Sequence, residues 1–379
     1  KMYFHNIDHC LKMMSIIGVH PGIEKGLYHY FRYILLVLSI CIIGYLVMLY
    51  PYHREEKMTL LNMTPVVTSM CLFAHSIFKL TNLFFKGRQI RSLLKDFECS
   101  FWKIEDISES DDKAYSVAQI NRIKQMYHIY LFMSTNTATF FYCGRIFIDG
   151  QPADRNLPFE SHVPFDVPFP VIFVFELIVG YILVIPIVAM DIFISTTVLL
   201  TALQCRLLNR EFQNIFCDDN DDSIRSRFRK CNDHHSFLIR FREELNQIFA
   251  NGILAYMLVI VPTLCIEMYI LSTEKSLKED IRAFSYSATL FFEFFICYCL
   301  PAQYLNDEAE LFLNSVYSSN WHLHSKHSKD ILLLLGKSHL KMEMSAGGYT
   351  KVDLKAGFAA LKSMVSYCIF LRSLGVSQD

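Results

Sequence analysis

The sequence has few charged residues for its length. Asp, Glu, Lys and Arg make up 19% of the 379 residues, whereas hydrophobic residues make up 53% and aromatic residues 14%. A soluble protein of this size is about 25% charged and does not need so much apolar surface. The composition therefore predicts a membrane protein.

Net charge and the motifs of common enzymes are also lacking. The formal net charge is −1, so the overall charge gives no reason to expect a nucleic acid as partner. The sequence contains no glycine-rich phosphate loop, no Gly-x-Ser-x-Gly elbow and no His-Glu-x-x-His pair. We therefore predict no enzyme, no catalytic residue and no cofactor.

Metal-site and disulfide patterns are weak. The 12 cysteines have no repeated spacing, so a disulfide framework is not predicted. His322 and His324 are two residues apart and point to different sides of a helix. The Cys231, His234 and His235 group has no second pair of ligands. A solvated helix start is the simpler interpretation of the first group, and the second group lies on a charged loop, so no metal site is predicted.

Long apolar stretches are abundant. A helix needs about 20 mostly apolar residues to cross a bilayer. Seven stretches satisfy this condition: residues 31–50, 63–85, 126–148, 168–203, 248–272, 283–305 and 354–374. The fourth is longer than a bilayer requires, so we expect it to tilt or extend into water. The predicted fold is an all-α membrane protein with seven transmembrane helices.

The lysines and arginines between the spans set the predicted orientation. Most of them lie in the N-terminal segment and in the second, fourth and sixth loops. Because cytoplasmic loops retain such residues, we expect a cytoplasmic N-terminus and an extracellular C-terminus. This orientation is the reverse of that of G-protein-coupled receptors.

The predicted topology divides the chain into three parts. Residues 1–305 form a six-helix transmembrane bundle, whose helices extend into the cytoplasm through loops 86–125 and 204–247. Residues 306–353 form a cytoplasmic region, with a helix-like stretch at 321–340. Residues 354–379 form a seventh helix and a short extracellular tail.

The outer halves of the second, third, fourth and sixth spans carry aromatic, sulfur-containing and hydroxyl side chains. Such walls suit a small, mostly apolar ligand held by packing and one or two hydrogen bonds. Ordinary packing within a helix bundle explains most of them equally well. The candidate ligand-binding residues are Met70, Phe73, Thr139, Phe140, Cys143, Phe147, Phe173, Glu176, Tyr181, Tyr286, Leu290 and Phe291.

Ionisable residues also occur within the spans, where each is costly in hydrocarbon. Hydrogen bonding between helices is the simpler interpretation, and contact with a ligand is the alternative. Glu176 would act as a counter-ion only for an amine ligand. The residues are His75, Lys79, Glu176, Asp191, Glu267 and Glu293.

The last third of the chain carries four short elements in order. A Tyr-Ser-Ser-Asn-Trp element at residues 317–321 precedes a leucine-rich run at 331–335, a Ser-Ala-Gly-Gly-Tyr turn at 345–349 and a closing helix at 363–374. This order resembles the C-terminal signature of insect odorant receptors. The proline-containing segment at 157–166 is similar to the external loop of the same family.

Two departures bear on the subtype. Related gustatory receptors end in Thr-Tyr, five apolar residues and Gln-Phe, and here no Gln-Phe follows Ser366-Tyr367. The loop between the fourth and fifth spans is too short for the large insertion of the odorant co-receptor. The chain therefore resembles a ligand-selective, or tuning, subunit rather than the co-receptor.

The resemblance implies the odorant-binding subunit of a ligand-gated, non-selective cation channel. The implied partners are the odorant receptor co-receptor in a heterotetramer, a small volatile organic ligand, permeant cations and the lipid bilayer. The implied location is the plasma membrane of an olfactory sensory neuron dendrite. The alternative interpretation is a seven-helix G-protein-coupled or gustatory-type chemoreceptor.

The resemblance also implies roles for residues near the C-terminus. A partly polar stripe on the seventh helix suits a pore-facing surface, although Arg372 near the outer mouth disfavours cations unless partner subunits supply acidic groups. The implied pore-lining residues are Lys362, Ser366, Ile369, Arg372 and Ser373. The implied subunit-anchor residues are Tyr317, Trp321, Leu332 and Leu335.

Overall fold

Long helices dominate the chain. The computed structural model describes residues 2–53, 60–104, 110–149, 157–159, 161–163, 167–217, 220–272, 277–337 and 342–376. A π-helical segment, Glu293–Cys299, separates α8 from α9. The helices are α1 (Met2–Ile16), α2 (Leu27–Leu49), α3 (Leu60–Phe85), α4 (Gly87–Ser100), α5 (Ser110–Asp149), α6 (Phe169–Gln213), α7 (Asp221–Ser272), α8 (Leu277–Phe292), α9 (Leu300–Ser318), α10 (Ser328–Lys337) and α11 (Leu354–Val376).

Each of the seven predicted spans lies within helical structure, so the all-α prediction is confirmed. Five of the described helical stretches are long and apolar enough to cross a membrane: Leu27–His53, Met63–Phe85, Phe169–Gln213, Asp221–Ser272 and Asp280–Leu323. The other two predicted spans coincide with α5 and α11.

The two longest helices reach far beyond a bilayer. With 45 residues in α6 and 52 in α7, a rise of about 1.5 Å per residue gives lengths of about 68 and 78 Å. The hydrocarbon core of a bilayer is only about 30 Å thick. Pro168 precedes α6 and Pro170 lies in its first turn, where the missing N–H costs no intrahelical bond.

A short antiparallel hairpin interrupts the helical pattern. Its strands are β1 (Ser345–Ala346) and β2 (Thr350–Lys351). The backbone N–H of Gly347 donates to the carbonyl of Ala250 at 2.8 Å, which fixes the hairpin against α7. The hairpin therefore holds the chain against the bundle just before α11 begins.

The region between α9 and the hairpin is less regular than predicted. Residues 321–340 were expected to be helix-like, but Trp321–Leu323 and Ser325–His327 form short 3₁₀ turns, and the α-helix covers only Ser328–Lys337. Residues 338–340 lie outside the described residues. The two 3₁₀ turns place the His324 ring on the Phe216 ring, with ring centroids 4.9 Å apart. A continuous helix from Trp321 would place His324 differently.

Buried hydrophobic residues form two clusters. The larger one runs along α6 from Val188 onward and along α7 and α9. The smaller one lies where α2 ends and α6 begins, and Phe159 packs into it from the segment before α6. Between the two clusters, polar side chains of α3, α5, α6 and α8 face one another inside the bundle.

Candidate functional site

A cavity of about 50 Å³ lies inside the bundle among α3, α5, α6, α8 and the start of the π-helical segment. One water needs about 10–15 Å³, so the cavity is several times larger than a single water site. Its walls are mostly aromatic and aliphatic. The lining residues are Leu72, His75, Tyr130, Ser134, Thr137, Ala138, Phe141, Tyr142, Val184, Ile187, Val188, Tyr286, Thr289, Leu290 and Glu293.

Helical spacing brings the lining residues of α5 to one face. Tyr130, Ser134, Thr137 and Phe141 follow one another at steps of three or four residues, and Ala138 and Tyr142 adjoin this row. Such a repeat aligns side chains along a helix. The lining residues of α8 and the π-helical segment have the same spacing. Two facing helices therefore each supply aromatic and hydroxyl groups to the cavity.

Hydroxyl groups link the two facing helices. The Thr137 Oγ1 lies 2.8 Å from Thr289 Oγ1 and 2.9 Å from Ser285 Oγ. On the other wall, the Tyr142 hydroxyl donates to the carbonyl of Gly180 at 3.0 Å. A Cβ at position 180 would lie 2.8 Å from Tyr142 Cζ, so this close approach requires glycine.

A buried network of charged groups closes one end of the cavity. The Lys79 amine donates to the carboxylates of Asp191 and Glu293, the latter at 2.7 Å. The Tyr130 and Tyr298 hydroxyls both donate to Asp191, and Tyr130 does so at 2.8 Å. Buried charges are tolerated when they are paired and hydrogen-bonded. The network therefore joins α3, α5, α6 and the π-helical segment.

The π-helical segment connects the cavity with α11. Glu293 is its first residue and lines the cavity, whereas Phe295 contacts Phe358 of α11 with ring centroids 5.6 Å apart. A Cβ at Gly357 would lie 2.9 Å from Cys299 Sγ, so α11 packs closely against the segment. Such insertions in a helix occur frequently at functional sites.

Comparisons with known proteins agree with this architecture. A family model described as seven-transmembrane odorant receptor matches residues 57–365, which is more than half of the chain. The chain belongs to the odorant receptor family. This is a family of receptors rather than of enzymes. A search of curated protein sequences found no match.

Solved structures of an insect odorant receptor share the fold. The chain is similar to the olfactory receptor OR5 from Machilis hrabei in complex with eugenol, with a TM-score of 0.82 and 16% identity over 99% of this chain and 100% of that one. A second OR5 structure gives a TM-score of 0.81 and 17% identity over 98% and 99% of the two chains. The seven-helix fold predicted for this odorant receptor is therefore confirmed.

The structure brings only part of the predicted ligand-binding set to the cavity. Tyr286 and Leu290 line it. Phe73 lies beside the cavity in the smaller cluster, and the centroids of the Phe73 and Phe159 rings are 5.1 Å apart. Thr139 and Tyr181 bond to each other at 3.1 Å, away from the lining. Ligand contact by these residues stays a prediction.

The remaining predicted ligand-binding residues lie elsewhere. Met70 is partly buried beside Gly44, and Phe173 contacts Phe169 near the start of α6. Two others, Phe140 and Phe291, have exposed side chains outside the lining. The side chains of Cys143 and Phe147 lie outside the described residues.

The ionisable residues of the spans all have partners. Glu176 is fully buried and accepts hydrogen bonds from the Ser161 hydroxyl and the Phe159 backbone N–H. Glu267 accepts from Thr68 at 2.9 Å, between α7 and α3. The other four belong to the charged network, where His75 Nε2 lies 3.3 Å from Glu293 Oε1. Glu176 thus holds the segment before α6, although an amine counter-ion was one possibility for it.

Sequence reasoning did not assign several lining residues to the cavity. His75 and Glu293 stood out only as ionisable residues, and Ser134, Thr137 and Thr289 did not stand out at all. The spacing of the small hydroxyl residues along α5 and α8 is the signal that could have found them. That spacing shows a shared face but does not show what the face contacts.

The predicted pore stripe of this odorant receptor faces away from the bundle. Along α11 the buried residues are Gly357, Met364 and Cys368. At 3.6 residues per turn, the side chains of Lys362, Ser366, Ile369 and Ser373 fall within about 60° of one another on the opposite face. All of them are exposed, as is Arg372.

Arg372 stands apart from that stripe. At 3.6 residues per turn its side chain is rotated by about 90° from the centre of the stripe. Arg372 is therefore not part of the stripe, although the prediction grouped it with the other four residues. A pore-lining role for these five residues stays a prediction.

The predicted anchor residues fall into two groups. Tyr317 and Leu332 are exposed, whereas Trp321 and Leu335 are partly buried against the larger core cluster. The exposed apolar side chains are available to contact another subunit. The partly buried side chains support the surface on which the exposed ones lie. An anchor role for this region stays a prediction.

Proposed function

We propose that this odorant receptor is the odorant-binding subunit of a ligand-gated, non-selective cation channel. The observation that carries the proposal is a mostly apolar cavity with a few polar groups inside the bundle of a chain that shares its fold with a receptor solved with eugenol. Pockets of this composition are typical of sites for small organic molecules. The proposed ligand is a small volatile molecule bound in the outer half of the bundle.

The proposed orientation places the N-terminus in the cytoplasm and the C-terminus outside, in the plasma membrane of a sensory neuron dendrite. The distribution of lysine and arginine between the spans supports it. Residues 1–305 then form the ligand-binding bundle with its cytoplasmic extensions. Residues 306–353 form the anchor region, and residues 354–379 form the pore helix with an extracellular tail.

The proposed mechanism is a shift between a closed and an open packing of the bundle. A ligand changes this equilibrium only by its difference in affinity for the two states. A difference of about 1–3 kcal/mol gives a change of about 5- to 150-fold. Leu290 and Glu293 line the cavity and lead directly into the π-helical segment that packs on α11, which supports transmission to the pore along this segment.

The co-receptor is the proposed partner in a heterotetramer. Exposed apolar residues on α11 and α10 support an assembly, because the side chains of Ile369, Phe370 and Leu332 are more than half exposed on the described chain. A channel built around α11 needs several copies of this helix, and one chain supplies a single copy. The other copies come from the partner subunits.

Expression with and without an insect odorant co-receptor tests the proposed function. We expect odorant-evoked cation currents in cells that express both chains, and none in cells that express this chain alone. Cells with the co-receptor alone are the control. Absence of current against a broad odorant panel, with both chains at the cell surface, contradicts the proposed function.

Replacing Ser366 with cysteine tests the pore stripe. We expect a positively charged, membrane-impermeant thiol reagent applied from outside to remove most of the odorant-evoked current, because the modified side chain adds charge and bulk to the pore. The measurement is current before and after reagent, compared with the unchanged receptor. Val365→Cys is the matched control, since Val365 is equally exposed but rotated by about 100°. Equal block of both variants contradicts the stripe.

The side of the membrane on which the C-terminus lies distinguishes the proposed channel from a G-protein-coupled chemoreceptor. An epitope tag after the last residue is expected to bind antibody on intact cells in the proposed orientation. A G-protein-coupled receptor with an extracellular N-terminus predicts access only after permeabilisation.

A further inference from the structure

One oxygen of the buried network is directed to the cavity rather than to the network. Both contacts of Glu293 with described residues, Lys79 at 2.7 Å and His75 at 3.3 Å, use Oε1. Glu293 also lines the cavity, and its side chain is 2% exposed. Oε2 is therefore an acceptor that the network leaves open toward the space where a ligand would lie.

A second buried polar group faces the same space. The Ser134 Oγ has no hydrogen-bond partner among the described residues, and Ser134 is only 6% exposed. Its neighbours behave differently, because the hydroxyls of Thr135 and Thr139 donate to carbonyls one turn earlier at 2.7 and 2.9 Å. The Ser134 hydroxyl is therefore free to meet a ligand.

The two open groups are placed at the same end of the cavity. Ser134 follows Tyr130 by one turn of α5, and Tyr130 donates to Asp191, which shares the Lys79 amine with Glu293. Thr137 and Thr289 bond to each other at 2.8 Å, and most of the remaining lining side chains are apolar. A ligand that enters the cavity thus meets a carboxylate oxygen and a hydroxyl at its polar end.

We propose that this cavity selects odorants that carry a hydrogen-bond donor, an O–H or N–H group, on a small apolar body. The proposal rests on the proposed function, because it names the ligand class of the same site. The donor binds Glu293 Oε2, and the Ser134 hydroxyl, which can donate or accept, completes the contact. The aromatic walls enclose the rest of the molecule.

A ligand that can only accept hydrogen bonds is disfavoured for an electrostatic reason. A carbonyl oxygen placed against Glu293 brings two acceptors together and leaves the carboxylate oxygen unsatisfied in a buried site. The Lys79 cation does not relieve this, because Lys79 is absent from the described lining and is held by two carboxylates. Sites that hydrogen-bond a ligand group reject analogues without it far more strongly than apolar pockets reject a change of size.

His75 is a competing donor at this end of the cavity. It lines the cavity, and its Nε2 lies 3.3 Å from Glu293 Oε1. An imidazole N–H turned to the cavity would favour acceptor-only ligands such as aldehydes. The two possibilities therefore predict opposite preferences between matched ligands.

Matched odorants test the proposal in cells that express this receptor with the co-receptor. Benzyl alcohol and benzaldehyde have nearly the same shape, but only the alcohol has a donor. We expect benzyl alcohol to act at a concentration about tenfold to 100-fold lower than benzaldehyde, the range of a hydrogen bond to a charged group. Benzylamine, compared with the alcohol, shows whether a charged N–H is preferred to a neutral O–H.

Two variants connect the preference to the proposed residues. Glu293→Gln keeps the shape and adds a donor, so we expect the ratio between the alcohol and the aldehyde to fall toward one. Ser134→Ala is expected to weaken the alcohol severalfold and to leave toluene, which has no polar group, unchanged. Thr135→Ala, one residue away on the exposed side of α5, is the matched control and is expected to keep the original ratio.

The outcomes separate the proposal from the proposed function. Equal potency of the alcohol and the aldehyde, or a ratio that Ser134→Ala leaves unchanged, overturns the donor preference while odorant-evoked currents persist. If the benzyl compounds are too small to activate the receptor, matched pairs of longer alcohols and aldehydes replace them. A preference for the aldehydes overturns the proposed donor preference. If Glu293→Gln does not reach the surface, the Ser134 variant and the ligand pairs still decide.

Discussion

Replacing Lys79 with methionine is expected to destabilise the receptor by about 3–5 kcal/mol, the cost of leaving buried charges without their counter-ion. The side chains of Lys79, Asp191 and Glu293 are 2%, 0% and 2% exposed, so water cannot replace the lost amine. The two carboxylates would then repel each other in a medium of low dielectric constant. We expect a large fall in melting temperature of the detergent-purified receptor and in its surface expression.

The neighbouring residue provides the control for this substitution. Phe78 is 53% exposed, so Phe78→Ala is expected to change the melting temperature little. Neutralising the partners as well, with Asp191→Asn and Glu293→Gln added to Lys79→Met, is expected to recover part of the loss, because residues of one network are coupled. If Lys79→Met alone has the same melting temperature as the Phe78→Ala control, the network is not a major source of stability.

The second large effect is expected at Gly347, in the turn between β1 and β2. Gly347 and Gly348 both have positive φ angles, +61° and +78°, which cost an L-residue about 1–2 kcal/mol. Only Gly347 also lacks space, because a Cβ there would lie 2.5 Å from Leu254 Cδ2 and 3.3 Å from Leu254 Cβ. We expect Gly347→Ala to be more destabilising than Gly348→Ala by about 1–3 kcal/mol, the cost of overpacking.

The two glycines form a matched pair for this measurement. Both substitutions strain the backbone, and nothing lies within 4 Å of a Cβ at Gly348, so the difference in melting temperature reports the contact with α7. Leu254→Ala is expected to remove most of that difference. If the two variants melt at the same temperature, the hairpin does not pack on α7 as described.

The network and the hairpin both act near the start of α11. The network begins the π-helical segment that packs on α11 at Gly357 and Phe358, and the hairpin fixes the chain immediately before α11 starts. Contacts at both places restrict how α11 can move relative to α7. Substitutions at either place should therefore change channel opening as well as stability, which current measurements on surface-expressed receptor can separate.

Some features of this protein follow from the sequence alone. Seven apolar stretches predicted the helices that cross the membrane, because burial in lipid requires a long run of apolar residues whatever surrounds it. The glycines at 347–348 marked a turn, since positive φ angles favour glycine wherever they occur. The π-helical segment within the sixth predicted span left no such signal, because Glu293 to Cys299 reads as an ordinary apolar helix.

The position of the cavity was decided only by the tertiary structure. Helical spacing places Ser134 and Thr137 on one face of α5 and Glu293 on one face of its own helix, but it does not determine that these faces meet. Lys79, Asp191 and Glu293 are separated by more than one hundred residues each, and their pairing depends on how α3, α6 and the π-helical segment pack. Local sequence determines what each helix is, whereas the contacts between helices, which involve distant residues, determine what the bundle can bind.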